Sequence, residues 1–129
     1  MTGASNLGAY FQRFGMLTGY RLYLSTKVKR GVCPVTVPEM THPIYMRTGT
    51  SDRSAFNEVI VKRWYDHPFP GGQPRLIIDA GANVGYASVR FAELYPEADV
   101  IAIEPDAENF QRSEEHTSEL QSRFGISYA

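Results

Sequence analysis

Acidic, amide and glycine residues follow an apolar run near the middle of the chain, in the stretch "RLIIDAGANVGYAS". Asp79 ends the apolar run, and Gly81 and Gly85 allow the chain to turn sharply. Asn83 offers an amide group between the two glycines. A second apolar run, "DVIAI", leads into Glu104, which lies 19 residues after Gly85 (104 − 85). In nucleotide-binding folds an acid about 20 residues after such a turn accepts hydrogen bonds from ribose hydroxyls.

The glycine spacing argues against two classes of ligand site. A phosphate-binding P-loop needs Gly-Lys-Ser/Thr at its end, and this turn has none. A dinucleotide site needs G-x-G-x-x-G, but Asn83 and Tyr86 stand at the third and sixth positions counted from Gly81. The second glycine of that pattern lets the backbone approach a pyrophosphate, so its absence disfavours a dinucleotide.

The elements around these residues predict an α/β fold. Leu76 to Ile78 form a uniformly apolar run, as expected for a strand covered on both faces. Val84 to Tyr95 have the spacing of a helix, which Pro96 would end, and a second buried strand follows at residues 99–105. This order is the first βαβ unit of a partial Rossmann-like fold.

The pattern of residues 1–70 predicts an accessory segment of helices and short strands. Residues 71–111 are predicted to form the start of the ligand-binding domain. Apolar residues at helical spacing open the segment, and two short Pro-bounded strands follow. The stretch "TSDRSAFNEVIVKRWYDH" is typical of a capped helix, with Ser51 or Asp52 as the cap.

The pattern D-x-G-x-x-x-G at the end of a first strand resembles motif I of class I S-adenosylmethionine-dependent methyltransferases. Residues 45–111 look like an FkbM-type methyltransferase, above all in "DAGANVGYAS" and "IAIEPDAENF". The resemblance implies transfer of a methyl group from S-adenosylmethionine to a hydroxyl, often on a sugar or natural product. It places five residues around this cofactor: Asp79, Gly81, Asn83, Gly85 and Glu104.

The physical chemistry of S-adenosylmethionine agrees with these residues. The cofactor has no phosphate and carries an ammonium and a sulfonium, so the negative charge of Asp79 suits it, directly or through water. No residue is assigned as the catalytic base, although His42, His67 and Tyr86 are available.

Upstream of this motif, the segment that contains Asp52, Asn57 and Glu58 is similar to the segment that precedes motif I in this family. Cofactor contact is one interpretation of them, and a helix cap with an exposed helix face is the other. Both interpretations stay open at the level of the sequence.

The composition narrows the class of protein. Of 129 residues, 43% are apolar and 21% are charged, which is ordinary for a globular chain, and the net charge is −1. No strong field of the whole chain therefore favours a nucleic acid or an anionic membrane. Cys33 is the one cysteine, which excludes a disulfide framework or a cysteine metal cage and favours the cytoplasm; we expect no metal. No stretch approaches the roughly 20 apolar residues of a membrane span.

Two other functions remain as alternatives. The first is another Rossmann-like enzyme, such as an NAD(P)-dependent oxidoreductase. The second is a non-enzymatic module in which the basic run "KVKRG" and the aromatic N-terminal residues bind a partner or a membrane surface.

Residues 112–129 differ in character from the rest. The bases of a common sequencing adapter translate to "RSEEHTSELQS" and "ISYA", which match residues 112–122 and 126–129. We therefore expect a non-native tail that does not pack with the domain, joined to a methyltransferase that is cut after its second strand. Such a fragment should bind its cofactor weakly and transfer no methyl group.

Overall fold

The structure is a computed structural model, and it describes residues 7–28, 31–114 and 126–128. The chain forms two compact units, Met1–Arg63 and Trp64–Ala129. The sequence-based division after residue 70 stays a prediction. Within the described ranges, no helix combines the length and the apolar character that crossing a membrane requires.

The first unit opens with two helices, α1 (Leu7–Phe14) and α2 (Met16–Val28). The helical spacing of the first apolar residues predicts α1. Gly15, with φ +76°, connects the two helices. The helices approach closely at Gly19, where an added Cβ would lie 2.5 Å from the carbonyl oxygen of Tyr10. Residues 29 and 30 of the basic run "KVKRG" lie outside the described residues.

A hairpin and a composite helix complete the first unit. Strands β1 (Val32–Val35) and β2 (Ile44–Arg47) pair antiparallel, which confirms the two short strands. Helix α3 (Asp52–Phe56) continues directly into a π-helical stretch (Asn57–Val61).

The second unit contains the predicted βαβ order. Strand β3 (Leu76–Ala80), helix α4 (Tyr86–Leu94) and strand β4 (Asp99–Ile103) follow one another. Helix α5 begins at residue 107 and is described to residue 114, and a short strand, β5 (Ile126–Tyr128), comes last. The strands lie in the order β3-β4-β5, with both pairs parallel. The α/β class and the first βαβ unit are confirmed.

One face of the sheet is covered and the other is open. Ile77, Val100 and Ala102 are buried, at 5%, 0% and 0% exposure. Leu76 and Ile78, whose side chains alternate with Ile77 to the other face, are 53% and 59% exposed. The prediction of a strand covered on both faces is therefore wrong for the described chain. An apolar run in a sequence shows that both sides of a strand are apolar, but not that an element packs on each side.

The C-terminal residues contribute to this unit. Ser113 is fully buried and its hydroxyl donates to the carbonyl of Phe110 at 2.7 Å. Strand β5 pairs with Val100 to Ala102 of β4. The prediction that residues 112–129 do not pack is therefore wrong for Ser113 and for β5. The adapter origin of these residues stays a prediction.

A salt bridge and an aromatic group hold the segment before β3 against α4. Arg90 of α4 donates from Nε and a terminal nitrogen to the two carboxylate oxygens of Asp66, at 2.9 and 2.6 Å. The rings of Tyr65 and Phe69 lie 5.7 and 6.1 Å from that of Phe91. These contacts fix the segment that leads into the N-terminal end of β3.

Candidate functional site at the ends of two parallel strands

The carboxyl ends of β3 and β4 meet at one edge of the sheet. Ala80 is paired with Ile103 in the parallel register, so the residues that follow each strand come out side by side. The N–H groups of Gly81 and Ala82 both donate to the carbonyl of Ile103, at 2.8 and 3.0 Å. The turn after β3 is thus bonded to the end of β4. Ligands of open α/β sheets bind at this kind of edge.

The turn from β3 to α4 uses left-handed backbone at three positions. Gly81, Asn83 and Gly85 have φ values of +81°, +53° and +84°. Glycine adopts this conformation without strain, and asparagine tolerates it better than most residues. The spacing of the two glycines is thus explained first by the shape of the turn.

The two glycines differ in what surrounds them. An added Cβ at Gly81 would meet nothing within 4 Å, so the space beside this residue is open. An added Cβ at Gly85 would lie 2.9 Å from the Cβ of Ser113. Gly85 is also the N-cap of α4 and is buried. Gly81 borders open space, whereas the contacts of Gly85 are those of a packing residue, and a cofactor role for either stays a prediction.

Glu104 ties the two strand ends together. One carboxylate oxygen accepts the N–H of Asn83 at 2.6 Å, and the other accepts the N–H of Asp106 at 2.8 Å. A carboxylate has about four acceptor positions, so these two bonds leave capacity for further donors. The position of Asn83 in this site is therefore set through its backbone N–H.

Asp79 carries a hydrogen bond that the sequence did not indicate. Ser88, in the first turn of α4, donates its hydroxyl to a carboxylate oxygen of Asp79 at 2.6 Å. The Ser88 side chain is fully buried. In the sequence, this hydrogen bond is indicated only by the position of Ser88 on the first turn of the helix that follows Asp79, and that signal is weak.

The negative charges of Asp79 and Glu104 repel each other. Burial raises the pKa of Asp79, the hydrogen bond from Ser88 lowers it, and the nearby negative charge of Glu104 raises it further; the result is a pKa above the usual range. A cation at this edge would offset the repulsion between the two carboxylates.

Asp106 has a local role. Its carboxylate accepts the N–H of Asn109 at 2.9 Å, as an N-cap of α5 does. This bond fixes the direction in which the chain leaves the end of β4.

The upstream acid Asp52 has structural partners. Its carboxylate accepts three hydrogen bonds from Arg47, from the backbone N–H, Nε and a terminal nitrogen, at 2.9, 3.0 and 2.8 Å. Ser51, one of the two expected caps, is the N-cap residue of α3, but its side chain makes no capping hydrogen bond; instead the hydroxyl of Thr50 accepts the N–H of Asp52 at 3.2 Å.

The other two upstream residues also lie in the first unit. The side-chain oxygen of Asn57 accepts the hydroxyl of the buried Tyr10 at 2.6 Å, and Glu58 is half-buried. Cofactor contact by Asp52, Asn57 and Glu58 stays a prediction.

The three candidate bases belong to different segments of the chain. Tyr86 is buried at the first position of α4, His67 is exposed in the segment before β3, and His42 lies in the first unit. None of them is assigned a catalytic role.

Comparisons with known proteins place the fold. No protein-family model matches the chain, and no curated protein matches it. Among solved structures, P. horikoshii TYW2 in complex with MeSAdo has a TM-score of 0.54 and 22% identity, over 78% of this chain and 36% of that one. A protein-L-isoaspartate O-methyltransferase gives 0.41 and 9%, over 78% and 28%. Coclaurine N-methyltransferase bound to N-methylheliamine and SAH gives 0.40 and 14%, over 100% and 38%.

The likeness to TYW2 establishes a Rossmann-like α/β fold for this chain. The chain spans about a third of the length of the solved structures it matches. The resemblance to FkbM-type methyltransferases stays a prediction.

Proposed function

We propose that this chain forms the S-adenosylmethionine-binding part of a methyltransferase that acts on a hydroxyl group of a small molecule or glycan. The observation that carries the proposal is the pair of acids at adjacent strand ends. The parallel register of β3 and β4 brings Asp79 and Glu104 to the same edge of the sheet, and the charge of Glu104 raises the pKa of Asp79. A cationic ligand without phosphate fits such a site, because it removes the repulsion instead of adding to it.

The turn supports the same ligand by its shape. The open space beside Gly81 lets a ligand approach the backbone at the edge of the sheet. TYW2, which has this fold, is described in complex with MeSAdo, a further reason to expect a related adenosyl compound here.

The protein's residues have positioning roles in this proposal. When bound, S-adenosylmethionine supplies a methyl group on a sulfonium, open to in-line displacement by an acceptor oxygen. Glu104 accepts hydrogen bonds from the ribose hydroxyls with the acceptor capacity that its two backbone bonds leave. Asp79, held by Ser88, provides negative charge toward the cationic part of the cofactor. The choice of a hydroxyl acceptor rests on the resemblance of the sequence to FkbM-type enzymes.

An NAD(P)-dependent oxidoreductase is disfavoured by the same geometry. A dinucleotide site uses backbone N–H groups at the start of the helix to hold the pyrophosphate. Here the N–H of Asn83 donates to the carboxylate of Glu104. With Asp79 nearby, two negative charges would face the pyrophosphate.

We test the proposal with Asp79→Asn in the 129-residue chain. The dissociation constant for S-adenosylmethionine, measured by NMR titration, should rise about tenfold, since hydrogen bonds and contacts to a charged group contribute roughly 1.5 kcal/mol or more. The free energy of unfolding at neutral pH should not fall. Asparagine has the same shape, still accepts from Ser88, and does not repel Glu104.

The pH dependence gives a second readout of this variant. Because the folded-state pKa of Asp79 is raised, its contribution to stability is fully present below the pKa of an unfolded aspartate and is lost as pH rises through the folded value. Asp79→Asn should therefore match the wild type in acid and become relatively more stable as pH rises. Asp99→Asn, an exposed acid at the opposite edge of the sheet, is the matched control. An unchanged dissociation constant in Asp79→Asn would remove Asp79 from the site.

A further inference from the structure

Helix α2 exposes apolar residues on one side. Met16, Leu17, Tyr20 and Leu24 are 77%, 67%, 48% and 36% exposed. Tyr20 lies four residues after Met16 and three after Leu17, and Leu24 lies four after Tyr20, so the four side chains share one side of the helix, and we call them the α2 stripe. The other side of α2 is buried, with Leu22 at 4% exposure. The stripe is thus an apolar surface that α2 does not need for its own packing.

Basic residues accompany the stripe. Arg21 follows Leu17 by four residues and Lys27 follows Leu24 by three, and both basic residues are exposed. Helix α2 contains no acidic residue. The first acid of the whole sequence is Glu39, whereas five basic residues precede it, a charge of +5 against a net charge of −1 for the chain. These five are Arg13, Arg21, Lys27, Lys29 and Arg30.

We propose that the α2 stripe binds the surface of an anionic membrane. A helix lies in the membrane interface when apolar residues enter the boundary of the acyl chains and basic residues contact anionic headgroups. Tyr20 suits this depth, because an aromatic ring with a hydroxyl is favoured at the membrane–water interface. The buried side of α2, including Leu22 and Thr26, stays packed in the first unit. Binding therefore needs no unfolding.

The charge distribution favours lipid over a protein partner. An anionic bilayer offers negative charge over its whole surface, and juxtamembrane basic residues contribute about 1 kcal/mol each near it. Within the described part of α2, nothing negative opposes that attraction. This inference is independent of the proposed methyl transfer, because it concerns residues of the first unit alone.

The test is sedimentation of the 129-residue chain with vesicles. One set is phosphatidylcholine alone and the other contains about one-third phosphatidylserine. We expect binding to the phosphatidylserine vesicles that weakens as salt is raised, since screening shortens the reach of the basic residues. Leu17→Ser should lower the partition coefficient about tenfold, and Arg21→Gln about fivefold.

Two matched control variants distinguish binding through the α2 stripe from nonspecific binding of the chain to vesicles. Ile78→Ser removes an isoleucine that is 59% exposed in the second unit, and Arg75→Gln removes an exposed cation there. Both should bind vesicles like the wild type. Equal losses in Ile78→Ser and Leu17→Ser, or no preference for phosphatidylserine, would overturn the proposal. So would concentration-dependent self-association without vesicles that Leu17→Ser abolishes, because a second copy would then be the occupant of the stripe.

Discussion

In Glu104→Gln, the dissociation constant for S-adenosylmethionine should rise roughly ten- to a hundredfold. A carboxylate can accept from both ribose hydroxyls, whereas an amide keeps one acceptor oxygen and turns a donor toward the other hydroxyl. Hydrogen bonds to a charged group contribute roughly 1.5 to 3 kcal/mol, and about 1.4 kcal/mol is a factor of ten. NMR titration of both chains measures the change.

The structure adds a stability effect to this prediction. From the sequence, a strand-end acid that faces a pocket should change stability by less than about 1 kcal/mol. However, both oxygens of Glu104 accept backbone N–H groups, from Asn83 and Asp106. The amide nitrogen of glutamine would face one of these donors, and an unsatisfied group costs roughly 1 to 3 kcal/mol. We expect a urea midpoint that is lowered accordingly.

Glu97→Gln provides the control for Glu104→Gln. It removes the same charge from an exposed residue beyond the C-terminal end of α4, away from the carboxyl ends of the strands. Both readouts should stay close to the wild type. If Glu104→Gln reduced the stability but left the affinity for S-adenosylmethionine unchanged, Glu104 would stabilise the turn and would not bind the ligand.

The largest loss of stability is expected in the first unit, from Asp52→Asn. The Asp52 side chain is 1% exposed and that of Arg47 is 14% exposed, and the two share a bidentate pair. Asparagine would leave the cation of Arg47 buried without its counter-charge. Breaking such a pair costs about 3 kcal/mol. Urea unfolding followed by circular dichroism measures this loss.

The pH dependence of Asp52 has the opposite sign to that of Asp79. Burial alone would raise the pKa of Asp52, but hydrogen bonds from Arg47, the charge of Arg47 and a hydrogen bond with Thr50 together lower it. A depressed folded-state pKa contributes stability above the unfolded value, and this stability is lost as pH falls through the folded value. The wild type should therefore lose this contribution in acid, and Asp52→Asn should not.

A nearby acid gives the matched comparison for Asp52. Glu58→Gln removes the same charge six residues along the chain, from a half-buried position, and should cost less than about 1 kcal/mol. If Asp52→Asn were as stable as Glu58→Gln, the pair with Arg47 would carry no net stabilisation. Asp52 would then be open again to the cofactor role that the sequence suggests.

Local patterns in the sequence predict the elements of the site well. Apolar runs, the spaced glycines and Pro96 indicate strand, turn, helix and strand, because each of these depends on neighbours a few residues away. The parallel pairing of β3 and β4 then places Asp79 and Glu104 at the same edge of the sheet. The position of these acids was therefore predictable.

Contacts between distant residues were not predictable in this way. The hydroxyl of Tyr10 reaches Asn57 across 47 positions, and the amide of Asn83 reaches Glu104 across 21. An amino-acid pattern names donors and acceptors but does not say which ones meet. For the same reason, the amino-acid pattern carries only a weak signal for the hydrogen bond from Ser88 to Asp79, and it does not indicate that the side of β3 bearing Ile78 is exposed.

The most direct measurement of the central claim is an NMR titration of the wild-type chain with S-adenosylmethionine and, separately, with NAD⁺. With S-adenosylmethionine, we predict saturable shifts of the amide signals of Gly81, Asn83 and Asp106, which surround the two acids. NAD⁺ at the same concentrations should leave these signals in place. Shifts of the three amides with NAD⁺ but not with S-adenosylmethionine would contradict the account.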